Sequence, residues 1–240
     1  MGIKLQTYRK KFDHSYSFGP HATIELMTHH PENIKKVIIH SKSDKNTGVQ
    51  KIKSFCEQKG ISIETNDGLL RNLSGKENVY VAGIFSKFPN PLSAQENHLM
   101  LDHPSETGNL GTIIRTMLGY DIHNLAIIRP GVDIFDPKVI RASMGAIFTI
   151  KFEYFDSIEH YRERFENNLY SFMTDGNHTL QEIVFEKPYT LIFGSESAGL
   201  PGSYKNISKT IRIQQSSDID SLNLAVAVGI ELYENSIKKK

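Results

Sequence analysis

From His98 to Glu234 short apolar runs alternate with segments of helical spacing. The runs His98–Leu101, Leu125–Ile128, Phe148–Phe152, Leu169–Met173, Leu191–Phe193 and Ile211–Ile213 are too short for helices and read as buried strands. Between and after them, Thr112–Leu118, Pro137–Gly145, Ile158–Phe165 and Leu222–Tyr233 carry helical patterns. Strands in this rhythm predict an α/β fold whose parallel sheet is covered on both faces. The last helix is apolar on nearly every side, through Ala225, Val226, Ala227, Val228, Ile230 and Leu232, which predicts a place between other elements. Asp220 or Ser221 stands where its N-cap is expected.

The first part of the chain has a similar rhythm on a smaller scale. A basic, aromatic lead-in, Lys4 to Phe18, precedes a helix begun by Pro20. Strands at Val37–Ile39, Ile61–Ile63 and Val79–Phe85 follow, with helices at Val49–Lys59, stopped by Gly60, and Gly68–Leu73. Pro89, Asn90, Pro91 and Ser93 then mark a boundary. The expected division is residues 1–88, a linker at 89–97, and a larger domain at 98–240.

Charge separates the two parts. Residues 1–88 carry 14 Lys and Arg against 8 Asp and Glu, a net +6, and the remainder carries 14 against 19, a net −5. The basic part is where a polyanion is expected to dock. The single cysteine, Cys56, excludes an internal disulfide and a thiolate-rich zinc site, and the ten histidines form no metal-binding spacing. No metal is expected. No apolar run is long enough to span a bilayer, and the first residues lack the apolar core of a signal peptide, so a cytoplasmic protein is expected. Met1-Gly2 is followed at position 6 by Gln, which argues against myristoylation.

Ser105 to Arg115 (SETGNLGTIIR) reads as a glycine-flanked loop entering a helix, without the GxGxxG of a dinucleotide site. The segment TLIFGSESAGLP runs from Thr190 to Pro201, and Gly194 closes its strand and permits close backbone approach. SESAG is a near miss for the hydrolase elbow G-x-S-x-G with Ser197 as nucleophile. That fold needs a later histidine, and the last one here is His178.

Three segments in order, ETGNLGTIIRT, LIFGSESAGL and IRIQQSSDIDSLNLAVAVGIELYE, resemble the three motifs of the SpoU branch of the SPOUT RNA methyltransferases. The likeness spans roughly residues 98–235. The first half is similar to the family's small ribosomal-protein-like RNA-binding domain, mainly through FGPHATIEL. It departs at NVYVAGIF, where many relatives carry a His-Gln-Gly-type turn.

The resemblance implies a C-terminal trefoil knot, a homodimer, and S-adenosyl-L-methionine-dependent methylation of a ribose 2′-hydroxyl in rRNA or tRNA, with rRNA favoured and no DNA substrate. A catalytically inactive RNA-binding member of the same fold is the alternative. By matched positions Gly194, Ile213 and Leu222 would line the cofactor site. Arg115, Asn109, Glu196, Ser221 and Asn223 would form the polar site. Arg115 would hold the neighbouring phosphate and the emerging alkoxide, since a guanidinium hardly ever gives up its proton. Asn109 and Glu196 would orient Arg115, and Ser221 and Asn223 would fix the loop and substrate.

Overall fold

The computed structural model describes residues 5–238, so Lys4 of the basic lead-in and the Met1-Gly2 pair lie outside the described residues. The chain folds into two compact units: residues 5–88 with 133–149, and residues 89–132 with 150–238.

The first unit is built on β1 (His14–Phe18), α1 (Pro20–His29), β2 (Ile34–Ile39), α2 (Thr47–Lys59), β3 (Ile63–Thr65), α3 (Asp67–Ser74) and β4 (Val81–Ser86). Its sheet has the order β1-β4-β2-β3, antiparallel except for the β2–β3 pair. Alternate residues of β2 serve opposite faces. Val37 and Ile39 pack with Met27, Val49, Ile52 and Cys56 from α1 and α2, whereas Ile38 packs with Leu70 and Leu73 of α3. Both faces are covered, which is why these strands read as continuous apolar runs. Asn46 and Asn66 cap α2 and α3 through their side-chain oxygens.

The lead-in differs from its expected character. Its end forms β1, paired along its length with β4, and Tyr16 is fully buried. Alternating His-Ser-Tyr-Ser-Phe is a strand pattern, and the basic residues before it mask that signal.

The second unit opens with residues 89–97, which pack rather than link. Asn90 pairs with Phe152, and Leu92 joins the apolar cluster of Met100, Ala126 and Ile192. Then come β5 (His98–Asp102), α4 (Thr107–Gly119) and β6 (Asn124–Ile128). Residues 133–149, expected here, belong instead to the first unit and carry α5 (Pro137–Ala142). Packing gives the reason. Phe135 and Phe148 lie 6.0 and 5.4 Å from Phe85, ring centre to ring centre. Gly145, at φ 84°, has no Cβ to collide with Glu25, whose Cβ would be only 2.8 Å away.

The chain returns through β7 (Lys151–Phe155), α6 (Ile158–Arg162), β8 (Asn168–Phe172), β9 (His178–Thr179), β10 (Tyr189–Phe193), β11 (Lys209–Arg212) and α7 (Leu224–Lys238). Seven strands form one wholly parallel sheet of order β7-β6-β5-β10-β8-β11-β9. β7 starts later than expected because a 3₁₀ turn at Ala146–Phe148 follows Gly145.

α7 packs against α4 and buries Leu224, Val228, Glu231, Leu232 and Asn235, with Asn235 donating to the Tyr189 hydroxyl. Its far side is not covered as the all-apolar pattern predicts. Val226, Ile230, Tyr233 and Ile237 are exposed in one stripe. No helix of the described residues is long and apolar enough to cross a membrane.

Candidate active site

The loops that leave the carboxyl ends of β8, β10 and β11 meet the start of α4 around a pocket of about 840 Å³. Carboxyl ends of parallel strands are where α/β sheets open to ligands. The apolar floor is a stacked pair at two neighbouring strand ends, Phe172 and Phe193, with ring centres 4.4 Å apart.

Gly194 follows Phe193 and lines the pocket. A Cβ there would stand 2.1 Å from the Gly199 carbonyl carbon and 2.4 Å from the Leu200 nitrogen, so two stretches of backbone touch at this point. Gly199, at φ 65°, closes the turn by donating to the Ser195 carbonyl over 3.0 Å. A second contact of this kind lies at Gly176, where a Cβ would be 2.4 Å from the carbonyl carbon of Ile211. Gly176 has one signal in the sequence, a short Asp-Gly turn directly after a strand.

Glu196 ties this loop to α4. Its Oε2 accepts from the Ser105 N–H (3.1 Å) and hydroxyl (2.9 Å), and its Oε1 accepts from the Glu106 N–H (3.2 Å) and the Asn109 side-chain amide (3.0 Å). A carboxylate at a helix N-terminus also meets the positive end of the helix dipole. Burial pushes the Glu196 carboxyl upward, but the bonds from Asn109, Ser105 and the backbone together outweigh burial and hold it below the usual carboxylate range. This clamp explains why α4 begins at Thr107, well before the expected Thr112, despite Gly108 and Gly111 in its first turns.

The polar chain continues across the pocket. Asn109 Oδ1 accepts from Asn223 Nδ2 over 3.1 Å. Asn223 Oδ1 in turn accepts from the N–H groups of Ala225 (2.9 Å) and Val226 (3.3 Å). Asn223, and neither Asp220 nor Ser221, is therefore the N-cap of α7. Ser221 is exposed and lines the pocket, as do Ile213 and Leu222, both only half-buried. Arg115 stands apart. It is exposed on α4, outside the pocket lining, and among the described residues no hydrogen bond joins it to Asn109 or Glu196. Lys205 and Asp175, paired at 2.5 Å, also line the pocket and had no signal in the sequence.

Residues 96–233, more than half of the chain and the stretch holding every wall of this pocket, match the model of the SpoU rRNA Methylase family. The chain belongs to the SpoU family. Among the relatives it resembles is an uncharacterized tRNA/rRNA methyltransferase of Synechocystis, 34% identical over 57% of this chain and 51% of the relative, so the chain spans about half that protein's length. It is also 24% identical to the 23S rRNA (guanosine-2′-O-)-methyltransferase RlmB of Acinetobacter baylyi, over 91% of this chain and 95% of that protein. A solved structure of an AdoMet-bound rRNA methyltransferase from Sinorhizobium meliloti superposes with a TM-score of 0.81 at 26% identity, covering 94% of this chain and 88% of the other. The parallel-sheet α/β core is thus that of the SpoU methyltransferases. The asparagine–glutamate relay joins all three segments singled out in the sequence.

Proposed function

We propose that this chain methylates a ribose 2′-hydroxyl of structured RNA, rRNA or tRNA with rRNA favoured, using S-adenosyl-L-methionine. The observation that carries this reading is the pocket with Gly194 in its wall and the Glu196–Asn109–Asn223 relay at its rim. The residues fit the cofactor. A bare backbone at Gly194, the half-buried apolar side chains Ile213 and Leu222, and a stacked phenyl floor suit an adenosine group. When bound, the cofactor supplies an electrophilic methyl group. Relatives named as 2′-O-methyltransferases or carrying AdoMet support both the substrate class and the cofactor.

The chain's own residues would act by positioning and by charge. The 2′-hydroxyl is a poor nucleophile, so its oxygen must be aligned and the negative charge it develops stabilised. Glu196 spends its acceptors on α4, and its role is to hold Asn109 and the loop from Gly194 to Leu200. Ser221 and Asn223 fix the loop and the ribose. Arg115 would donate to the adjacent phosphate and the emerging alkoxide, and the hydroxyl proton would leave to phosphate or water.

A homodimer gives Arg115 its place. The exposed stripe Val226–Ile230–Tyr233–Ile237 is an apolar face that a second copy would cover. α4 packs beside this helix, so its exposed arginine would serve the partner's pocket. The family likeness supports a trefoil knot in this half, and the close backbone approach of Gly176 to Ile211 is compatible with it. Residues 1–88 would form an RNA-binding domain of ribosomal-protein type, supported by their net +6 charge. A cytoplasmic location fits such a substrate.

The test is to incubate total rRNA and tRNA with the protein and cofactor carrying a tritiated methyl group, then map the label. A labelled 2′-O-methyl nucleotide is expected. Cofactor binding without any RNA labelling would reject the reading in favour of an inactive RNA-binding member.

A further inference from the structure

The first unit contains its own cleft, of about 610 Å³, lined by Phe18, Gly19, Lys76, Asn78, Tyr80 and Arg141 among others. That volume lies within the range of small-molecule sites, about 300–1,000 Å³. Tyr80 is 38% exposed yet held in place. Its carbonyl accepts from the His40 N–H over 2.9 Å, and its ring leans on the His40 imidazole at 5.5 Å. The phenol is therefore braced on one side and open on the other.

Gly19 joins the wall beside it by donating to the Val81 carbonyl over 2.9 Å. Its φ of 92° and ψ of 157° belong to glycine, and a Cβ there would meet nothing within 4 Å. Gly19 is also the N-cap of α1, and no side chain caps that helix. The first-turn N–H groups of a helix lack partners within it and carry its positive end.

Of the three charged residues lining the cleft, two are cations. Glu77, the acidic lining residue, lies 3.6 Å from Arg71. Lys76 and Arg141 are exposed and make no ion pair among the described residues. Asn78 adds an exposed side chain with one donor and one acceptor group. Arg141 comes from α5, which lies within the stretch that matches the SpoU family but belongs to the first unit, as does the rest of the cleft.

We propose that this cleft binds an unpaired nucleotide of the RNA substrate. The base stacks on Tyr80, Arg141 and Lys76 take the phosphate with the start of α1, and Asn78 meets the base edge. Single-stranded RNA is recognised in this way, by aromatic platforms with cations along the backbone. The assignment rests on the reading of this chain as an RNA-modifying enzyme.

The test uses the full chain with two fluorescein-labelled probes, an RNA hairpin with an unpaired loop and a fully paired duplex of the same length. Tyr80→Ala is expected to weaken hairpin binding by about tenfold and to leave duplex binding unchanged. Tyr80→Phe keeps the stacking face and is expected to bind like the parent. Arg141→Gln should lower the slope of log affinity against log salt by about one. Cofactor affinity, followed by calorimetry, is expected to stay unchanged in all three. Hairpin binding unaffected by Tyr80→Ala, or equal losses on both probes, overturns the assignment. So does a parent protein that does not prefer the hairpin. If Tyr80→Ala loses its thermal transition, Arg141→Gln decides, and an unchanged salt slope overturns the assignment. Methyl transfer by the parent protein is scored separately. Transfer with Tyr80-independent binding rejects the cleft alone, whereas Tyr80-dependent binding without transfer rejects the enzymatic reading alone.

Discussion

Asn223 donates to Asn109 over 3.1 Å, joining residues 114 positions apart in the chain. Asn109 passes the connection to Glu196, so the starts of α4 and α7 and the loop after β10 share one hydrogen-bonded unit. Asn223→Ala removes both the cap of α7 and the link to Asn109, and is expected to destabilise the fold by about 1–2 kcal/mol. The double variant with Asn109→Ala should cost less than the sum of the single changes, by about 0.5–1.5 kcal/mol. Urea unfolding of the four proteins measures this, and strict additivity would show that the two amides act separately.

Gly194→Ala should weaken cofactor binding. The added methyl meets backbone atoms at 2.1 and 2.4 Å, which cannot swing aside as a side chain can. The pocket wall must shift instead, and calorimetry is expected to register at least a tenfold loss of affinity, about 1.4 kcal/mol. Binding equal to the parent would mean that the wall yields freely.

Arg115→Ala is expected to lower turnover by about 10²–10³, as for loss of one preorganised donor, with cofactor affinity within a few-fold. Arg115→Lys keeps the charge without the planar fork and should rescue poorly. Ala, Lys and Arg are all good helix formers, so α4 should tolerate either change. Near-normal transfer by Arg115→Ala would make the residue structural. Lost cofactor binding in a folded protein would move it into the cofactor pocket.

Ile230→Asp places a charge in the exposed stripe of α7. Sedimentation at micromolar concentration should find the parent dimeric and the variant monomeric. With Arg115 serving the partner's pocket, the monomer should lose transfer more than cofactor binding. A parent protein that sediments as a fully active monomer would remove the dimer and this placement of Arg115 together.

His98 gives the second unit a pH-dependent component. The ring is fully buried, bonded to the Tyr161 hydroxyl at 2.6 Å and the Ser93 carbonyl at 2.8 Å. Burial holds its pKa below the ordinary histidine value, although the Ser93 bond opposes this. The unfolded chain therefore takes up a proton before the folded one does. Stability from this site is complete above about pH 6.5 and falls below it, by at most about 1.4 kcal/mol per pH unit. His98→Gln should show a shallower loss between pH 6.5 and 5 than the parent. Parallel curves would indicate that the ring titrates freely.

What the sequence disclosed was local or repeated. The buried strands were legible because both faces of each sheet are covered, so Leu99, Met100 and Leu101 are apolar without alternation. Gly194 was legible from its motif. The destination of residues 133–149 was not, because it depends on Phe135 and Phe148 meeting Phe85, a contact between segments far apart in the chain. The same holds for the cap of α7. Ser221, Asp220 and Asn223 are all competent caps, and only the bond from Asn223 to Asn109 selects among them. Arg115 was legible as a residue type but not as a position, since its exposure follows from what does and does not cover α4.

The pocket draws its walls from Glu106 through Ala227, and its closing wall is Ser221 to Asn223 at the start of α7. During synthesis that wall emerges after every strand of the sheet is made. A growing chain can complete its parallel sheet and still have one side of the pocket open. Cofactor capture is then a late event, and a nascent chain stalled before Ser221 would lack the closing wall of the pocket. Retention on an immobilised cofactor analogue would separate finished molecules from arrested ones, by a criterion that sheet content alone does not supply.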